Sequence, residues 1–247
     1  MTDRPVVGVV GSDTDEVVAA IEAAGGDALV GPASRVVGES RALVAVGEPA
    51  LLAVARASPS VPVLPVAAGR GVRSVPRDEV DGAVGSLLAD DFERTSHPIL
   101  DVCLADRLRG QALLDVMLVS TEPAQISEYA VDSRDNRVAR FRADGVVVAT
   151  AAGSSGYGSA AGGPVLAPDT DAAAVVPVAP FETDIDHWVV PAEGLTLSVE
   201  RDDTTVHLLA DDRVVGSVAP GEPLTLAHGE SLTVAVVAES RSPYPSA

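Results

Sequence analysis

Two stretches of the sequence carry residue types and spacings that chemistry can use. The first runs from Asp144-Gly145 through the apolar Val146-Val147-Val148-Ala149 to Thr150, then Gly153-Ser154-Ser155-Gly156-Tyr157 and Ala161-Gly162-Gly163-Pro164. Small residues at that density let a ligand reach backbone N–H groups, a following helix would offer its N-terminus to phosphate, and the hydroxyls of Ser154, Ser155 and Tyr157 add hydrogen bonds. The second is Gly47-Glu48-Pro49-Ala50, a carboxylate set in a turn. By its sequence alone Glu48 also fits a solvated turn acid in an ordinary loop. A glycine-rich loop alone also fits a tight packing turn.

Other chemistries are poorly served. Gly153-Ser154-Ser155-Gly156 lacks the G-x-S-x-G spacing of a hydrolase nucleophile elbow. His97, His187, His207 and His228 are scattered without metal-ligand spacing, which predicts surface or packing roles and no protein-held metal. Cys103 is the single cysteine, so no internal disulfide forms, and it reads as a small hydrophobe. Asp202-Asp203 and Asp211-Asp212 read as hairpin turns on a solvated face.

The elements around these stretches change character along the chain. Val6 to Val10 reads as a strand, Ser12 to Asp15 as a helix start and Glu16 to Ala24 as a helix. Ala42 to Val46 reads as a strand, Gly47 to Ala50 as a turn, Leu51 to Ala57 as a helix, and Val61 to Val66 as a strand. Asp78 to Leu88 adds a helix weakened by Gly82 and Gly85. This alternation predicts an α/β domain with a parallel sheet over residues 1–95. From Ile99 the apolar runs are strand-length and separated by turns, interrupted by one helix from about Ser155 to Ala161, which predicts a mostly β domain over residues 96–247.

Composition narrows the setting. The formal charge is −19, from 36 Asp+Glu against 17 basic residues, and all 17 are arginine. The acids are dispersed rather than blocked, which predicts a hydrated surface in a salt-rich cytoplasm, where the Debye length falls to about 3 Å at 1 M. No basic stripe is visible for a nucleic acid, and no apolar run reaches the length needed to cross a bilayer.

The segment from Asp144 to Val165 resembles the NAD kinase motif, D-G, a strand, T-P-T-G-S-T-A-Y and S-A-G-G-P-I. Asp144, Gly145, Thr150, Gly153, Ser154, Tyr157, Ala161, Gly162, Gly163 and Pro164 match, while Ala151, Ala152, Ser155 and Gly156 depart, Ala152 by loss of a hydroxyl. The similarity extends more loosely over about residues 40 to 237. Val46 to Leu52 stands where the family has G-G-D-G-T, with Gly47 kept and Glu48 as the acid. Leu114-Asp115 stands at its N-E or N-D pair, and Pro65 to Val72 at its glycine-rich segment, with Gly69 and Arg70 kept.

The resemblance implies a Rossmann-like α/β domain followed by a β-sandwich-like NAD-binding domain. It implies transfer of a phosphoryl group from ATP or polyphosphate, with Mg2+ on the phosphates, to the 2′-hydroxyl of NAD, in a dimer or tetramer. Glu48 would be catalytic, and Gly47, Gly69, Arg70, Asp115, Asp144, Thr150, Gly153, Ser154, Ser155 and Tyr157 would bind the nucleotides. Because Pro49 removes a backbone donor where the family has glycine, a non-catalytic NAD(P)-binding sensor or partner subunit is the competing reading.

Overall fold

The structure, a computed structural model, describes residues 4–122, 126–134, 136–168, 170–182, 184–201 and 205–244. Asp202-Asp203 lie outside the described residues. The chain divides into two units, one made of residues 1–97 and 231–247 and the other of residues 98–230.

The first unit opens with β1 (Val6–Gly11), α1 (Asp15–Ala23), β2 (Asp27–Val30), α2 (Ala33–Val36), β3 (Ala42–Val46), α3 (Glu48–Arg56), β4 (Val63–Val66) and α4 (Val80–Leu88). The strands pair in parallel in the order β2-β1-β3-β4. All five residues of β3 and all four of β4 are buried, as expected of central strands covered on both faces. The core joins Val7, Val9, Val44, Val46, Leu64 and Val66 to Ile21 of α1 and Val84 of α4. Gly82 in α4 has a packing reason, because a Cβ there would run into the Glu239 carboxylate.

The second unit is antiparallel. After β5 (Glu93–Leu104), whose first residues count with the first unit, it contains β6 (Arg107–Ala112), β7 (Asp115–Ser120), β8 (Ser127–Ser133), β9 (Asn136–Ala149), β10 (Ala172–Pro180), β11 (Trp188–Pro191), β12 (Leu195–Arg201), β13 (Val206–Ala210) and β14 (Arg213–Val218). Long β9 organises it: its first part pairs with β8, and Gly145–Ala149 pairs with β7 on one side and β10 on the other. Its core is Val and Leu with few aromatics, Phe141 stacking on Trp188 at 5.6 Å and meeting Tyr129 at 6.0 Å.

Several expectations are redrawn. Residues 231–247, placed with the β domain from sequence, belong to the first unit: Val234 pairs in parallel with Val63, and Ala235 and Val237 lie in that unit's core. Gly47 to Ala50 is not a separate turn, since α3 begins at Glu48 and Pro49 fits its first turn, where no N–H is needed. The helix expected over Ser155 to Ala161 is present in a distorted form, a wide turn at Ser154–Gly158 broken at Gly156 (φ −97°, ψ −122°) and continued through Ser159-Ala160, with the Ala161 N–H donating to the Tyr157 carbonyl at 2.9 Å. Strands β2 and β6 carry no clear signal in the sequence, β2 because it is only four residues long and β6 because Arg107, Arg109 and Gln111 break any apolar run.

His97 is fully buried, and among the described residues neither ring nitrogen has a hydrogen-bond partner. Burial pushes its imidazole down from 6.5 to about 4. The folded protein therefore holds His97 neutral while the unfolded chain takes up a proton from pH 6.5 downward, so stability falls as pH drops from 6.5 to 4. The loss attributable to this residue is about 2 kcal/mol by pH 5. Denaturant titrations of wild type and His97→Gln at pH 7.5 and 5 should show a smaller acid loss in the variant; equal losses would refute this origin.

Candidate functional site

In the first unit the strand-to-helix junction after β3 places Gly47 and Glu48. Gly47 takes φ 89°, which a side chain would resist, and its N–H donates to the Val66 carbonyl at 2.8 Å, tying the end of β3 to the end of β4. Glu48 is the first residue of α3 and is exposed. The loop after β4 is folded on itself, with Gly69 at φ 102° and its carbonyl accepting from Ser74 Oγ at 2.7 Å. A Cβ at Gly69 would lie 4.0 Å from Glu48 Oε2, so four expected residues, Gly47, Glu48, Gly69 and Arg70, come together. Arg70 is exposed, and its guanidinium donates to the Tyr244 carbonyl at 3.4 Å.

In the second unit the loop after β9 turns its polar groups inward. Thr150 is buried, its hydroxyl within bonding distance of the Leu113 (2.7 Å) and Leu114 (3.0 Å) carbonyls, and it accepts from the Gly153 N–H at 3.2 Å. Ser154 is also buried, donating to Ala151 O and accepting from the Leu166 N–H, both at 2.9 Å. These groups hold the loop rather than present hydroxyls outward. Ala152, where a hydroxyl is missing relative to the family motif, is buried too.

Asp115 opens β7 opposite Ala149, beside that loop. A residue that sequence reasoning set aside positions it: the Asp211 carboxylate accepts from the N–H groups of Leu113 (3.0 Å), Leu114 (2.7 Å) and Asp115 (3.1 Å). Reading Asp211 as a solvated hairpin acid missed this, because only tertiary structure brings the turn to residues 113–115.

Ser155 is half-buried, whereas Tyr157 is 49% exposed and lines a cavity of about 440 Å3 with Ala160, Ala161, Pro177–Pro180, Ile185 and His187. Apolar walls with a phenol and an imidazole suit the flat rings of a nucleotide. Asp144 stands on β9 between Ala143 and Gly145, the partners of Pro180 and Val178 in the cavity wall, and six residues, roughly 20 Å, along the strand from Thr150. Asp144 is not among the residues that line the Tyr157 cavity, and along β9 it lies apart from Thr150. His187, expected only to pack or face solvent, lines the cavity beside Gly162, whose φ of 92° favours glycine. No spacing signal marks His187 in the sequence.

Residues 113–236 match the ATP-NAD kinase C-terminal domain family. The chain is 40% identical over 95 residues to an NAD kinase of Methanosarcina mazei, covering 38% of this chain and 33% of that protein. It spans about a third of the length of the curated relatives it matches first (33%, 38% and 34%). Among solved structures it is similar to yeast NADH kinase complexed with NADH (TM-score 0.79, 16% identity, 97% of this chain and 85% of that one). It is also similar to an NAD kinase from Archaeoglobus fulgidus in complex with ATP (TM-score 0.76, 22% identity, 94% and 93%). At these identities the two structures speak to fold.

Proposed function

The chain belongs to the NAD kinase family, and from that premise we propose that it phosphorylates the adenosine ribose 2′-hydroxyl of NAD, with ATP or polyphosphate as donor, to give NADP. The observation that carries this reading is the exposed carboxylate of Glu48 at the start of α3, beside Gly69 and Arg70. The 2′-oxygen attacks the terminal phosphorus of the donor, the bond from that phosphorus to the bridging oxygen breaks, and the shortened donor leaves. Glu48 orients the 2′-hydroxyl and accepts its proton, while Arg70 offsets phosphate charge.

Tyr157 and His187 bind the flat parts of NAD, with Asp144 on the strand beside them and Ser155 and Asp115 nearer the loop. Thr150, Gly153 and Ser154 fix the loop's shape. Mg2+, which the family resemblance implies, would enter as an ion carried by the donor. A small, hydrated ion of this kind uses substrate phosphates and one or two carboxylates, for which Glu48 is available, and supplies charge neutralisation.

The protein works in the cytoplasm of a salt-rich cell, as its −19 charge and arginine-only cations favour, and as a homo-oligomer, dimer or tetramer, as the family resemblance suggests. No helix among the described residues is long and apolar enough to cross a membrane. The binding-only alternative rests on Pro49 at the start of α3, and it predicts NAD binding without turnover.

Tyr157→Ala tests the assignment of the cavity. Loss of its stacking surface is expected to raise KM for NAD about tenfold, with kcat within about threefold of wild type. An unchanged KM for NAD in steady-state assays would remove Tyr157 from the nucleotide site.

A further inference from the structure

The loop after β4 borders a second feature, a cavity of about 270 Å3 within the first unit that is lined by Gly69, Arg70, Ser74, Arg77, Asp78 and Arg241 among others. Three guanidinium groups on one cavity stand out in a chain with twice as many acids as bases. Arg70 and Arg77 donate to backbone carbonyls, Tyr244 O at 3.4 Å and Asp13 O at 3.0 Å. By contrast, Arg4, Arg94, Arg137 and Arg140 pair with carboxylates. A carbonyl fixes a guanidinium in place without cancelling its charge. Arg241 is brought in by its own N–H, which donates to Ser74 O at 3.2 Å.

The start of α3, meanwhile, is a poor place for phosphate. Pro49 has no N–H, and the Leu51 N–H is already bonded to the Gly47 carbonyl at 3.1 Å. The Glu48 carboxylate stands in that first turn and repels an anion. The charge needed to hold a phosphate chain must come from elsewhere, and Gly69 connects the arginine cavity to Glu48.

We propose that Arg70, Arg77 and Arg241 form the grip on the phosphate chain of the phosphoryl donor, replacing backbone amides that the turn after β3 no longer offers. The inference rests on the kinase reading above for the identity of the ligand as donor, while the anion site stands on its own geometry. Guanidinium forks bind phosphate oxygens in pairs and keep their charge at any working pH. Asp78 lines the same cavity, and Arg77 also borders a neighbouring cavity of about 330 Å3 with Glu16, Asp78 and Asp81. Arg77 is therefore partly compensated, and Arg70 and Arg241 carry most of the grip.

The test is calorimetric titration of the full chain with inorganic tripolyphosphate and, separately, with ATP, at about 1 M KCl so that distant surface charges are screened. Wild type is expected to bind both ligands, and Arg77→Gln/Arg241→Gln to lose affinity for both by about tenfold or more, as removal of charge-assisted hydrogen bonds dictates. Equal affinity of wild type and variant for tripolyphosphate overturns the proposal, as does binding of ATP without any binding of tripolyphosphate. If the double variant fails to fold, Arg241→Lys is read instead: it keeps the charge, loses the fork, and must still weaken tripolyphosphate measurably. Arginine-dependent tripolyphosphate binding by a wild type that forms no NADP upholds the anion site and sinks the kinase reading. NADP formation with an unchanged donor KM in the double variant sinks the site and leaves the kinase reading standing.

Discussion

Glu48→Gln is expected to lower NADP formation at saturating NAD and donor by about 10²–10⁴-fold, the range for loss of a positioned general base. Glutamine keeps the size and hydrogen-bonding reach of the side chain but cannot take the proton of the 2′-hydroxyl. The fold should not change, because Glu48 is exposed at the first position of α3 and its exchange removes only a favourable charge at a helix start. Glu48→Asp is informative in a different way. Gly47 at φ 89° and Pro49 in the first turn fix where the side chain leaves the backbone. Withdrawing the carboxylate by one methylene on that rigid base displaces it on the order of 1 Å, enough for about a hundredfold loss. Comparable turnover in wild type and Glu48→Gln, measured as NADP accumulation, would exclude Glu48 from the chemistry.

Gly153→Ala should be the most destabilising of the substitutions considered. A Cβ at this position would run into the backbone carbonyl of Leu114, and would lie 2.7 Å from Leu114 Cα. Leu114 cannot yield. Its N–H is held by Asp211 Oδ1 at 2.7 Å, and its carbonyl accepts from the Thr150 N–H at 2.9 Å and lies 3.0 Å from the Thr150 hydroxyl. Overpacking against a fixed backbone costs about 3 kcal/mol or more. For a chain of this length that is a fall in Tm of roughly 6–12 °C, readable by thermal unfolding. A fall under about 2 °C would mean that residues 113–115 are free to move, contrary to the hydrogen bonds described.

Much of the loop was legible in the sequence because glycine and proline mark backbone geometry directly. Gly47 and Gly69 do sit at positive φ, and Gly153 is glycine for want of space. The inward direction of Thr150 and Ser154 was not legible, since a hydroxyl in a small-residue loop reads the same whether it faces ligand or backbone. Long-range partners were equally hidden: Asp211 serves amides nearly a hundred residues away, and His187 reaches the Tyr157 cavity only through the pairing of β10 with β9 and β11. The α/β alternation and the buried strands β1 and β3 emerged from apolar runs, whereas β6, with Arg107, Arg109 and Gln111, has no such run to show.

The arginine content links composition to the site. A surface of −19 repels phosphate donors in dilute buffer, and salt that screens this repulsion leaves short guanidinium contacts largely intact. The most direct measurement on the wild-type protein is transfer of isotope-labelled terminal phosphate from ATP, with NAD as acceptor, at about 1 M KCl. Label appearing in NADP, at the 2′-position and in proportion to enzyme, is the predicted result. Tight binding of NAD with no labelled NADP, whether ATP or polyphosphate is the donor, would contradict it.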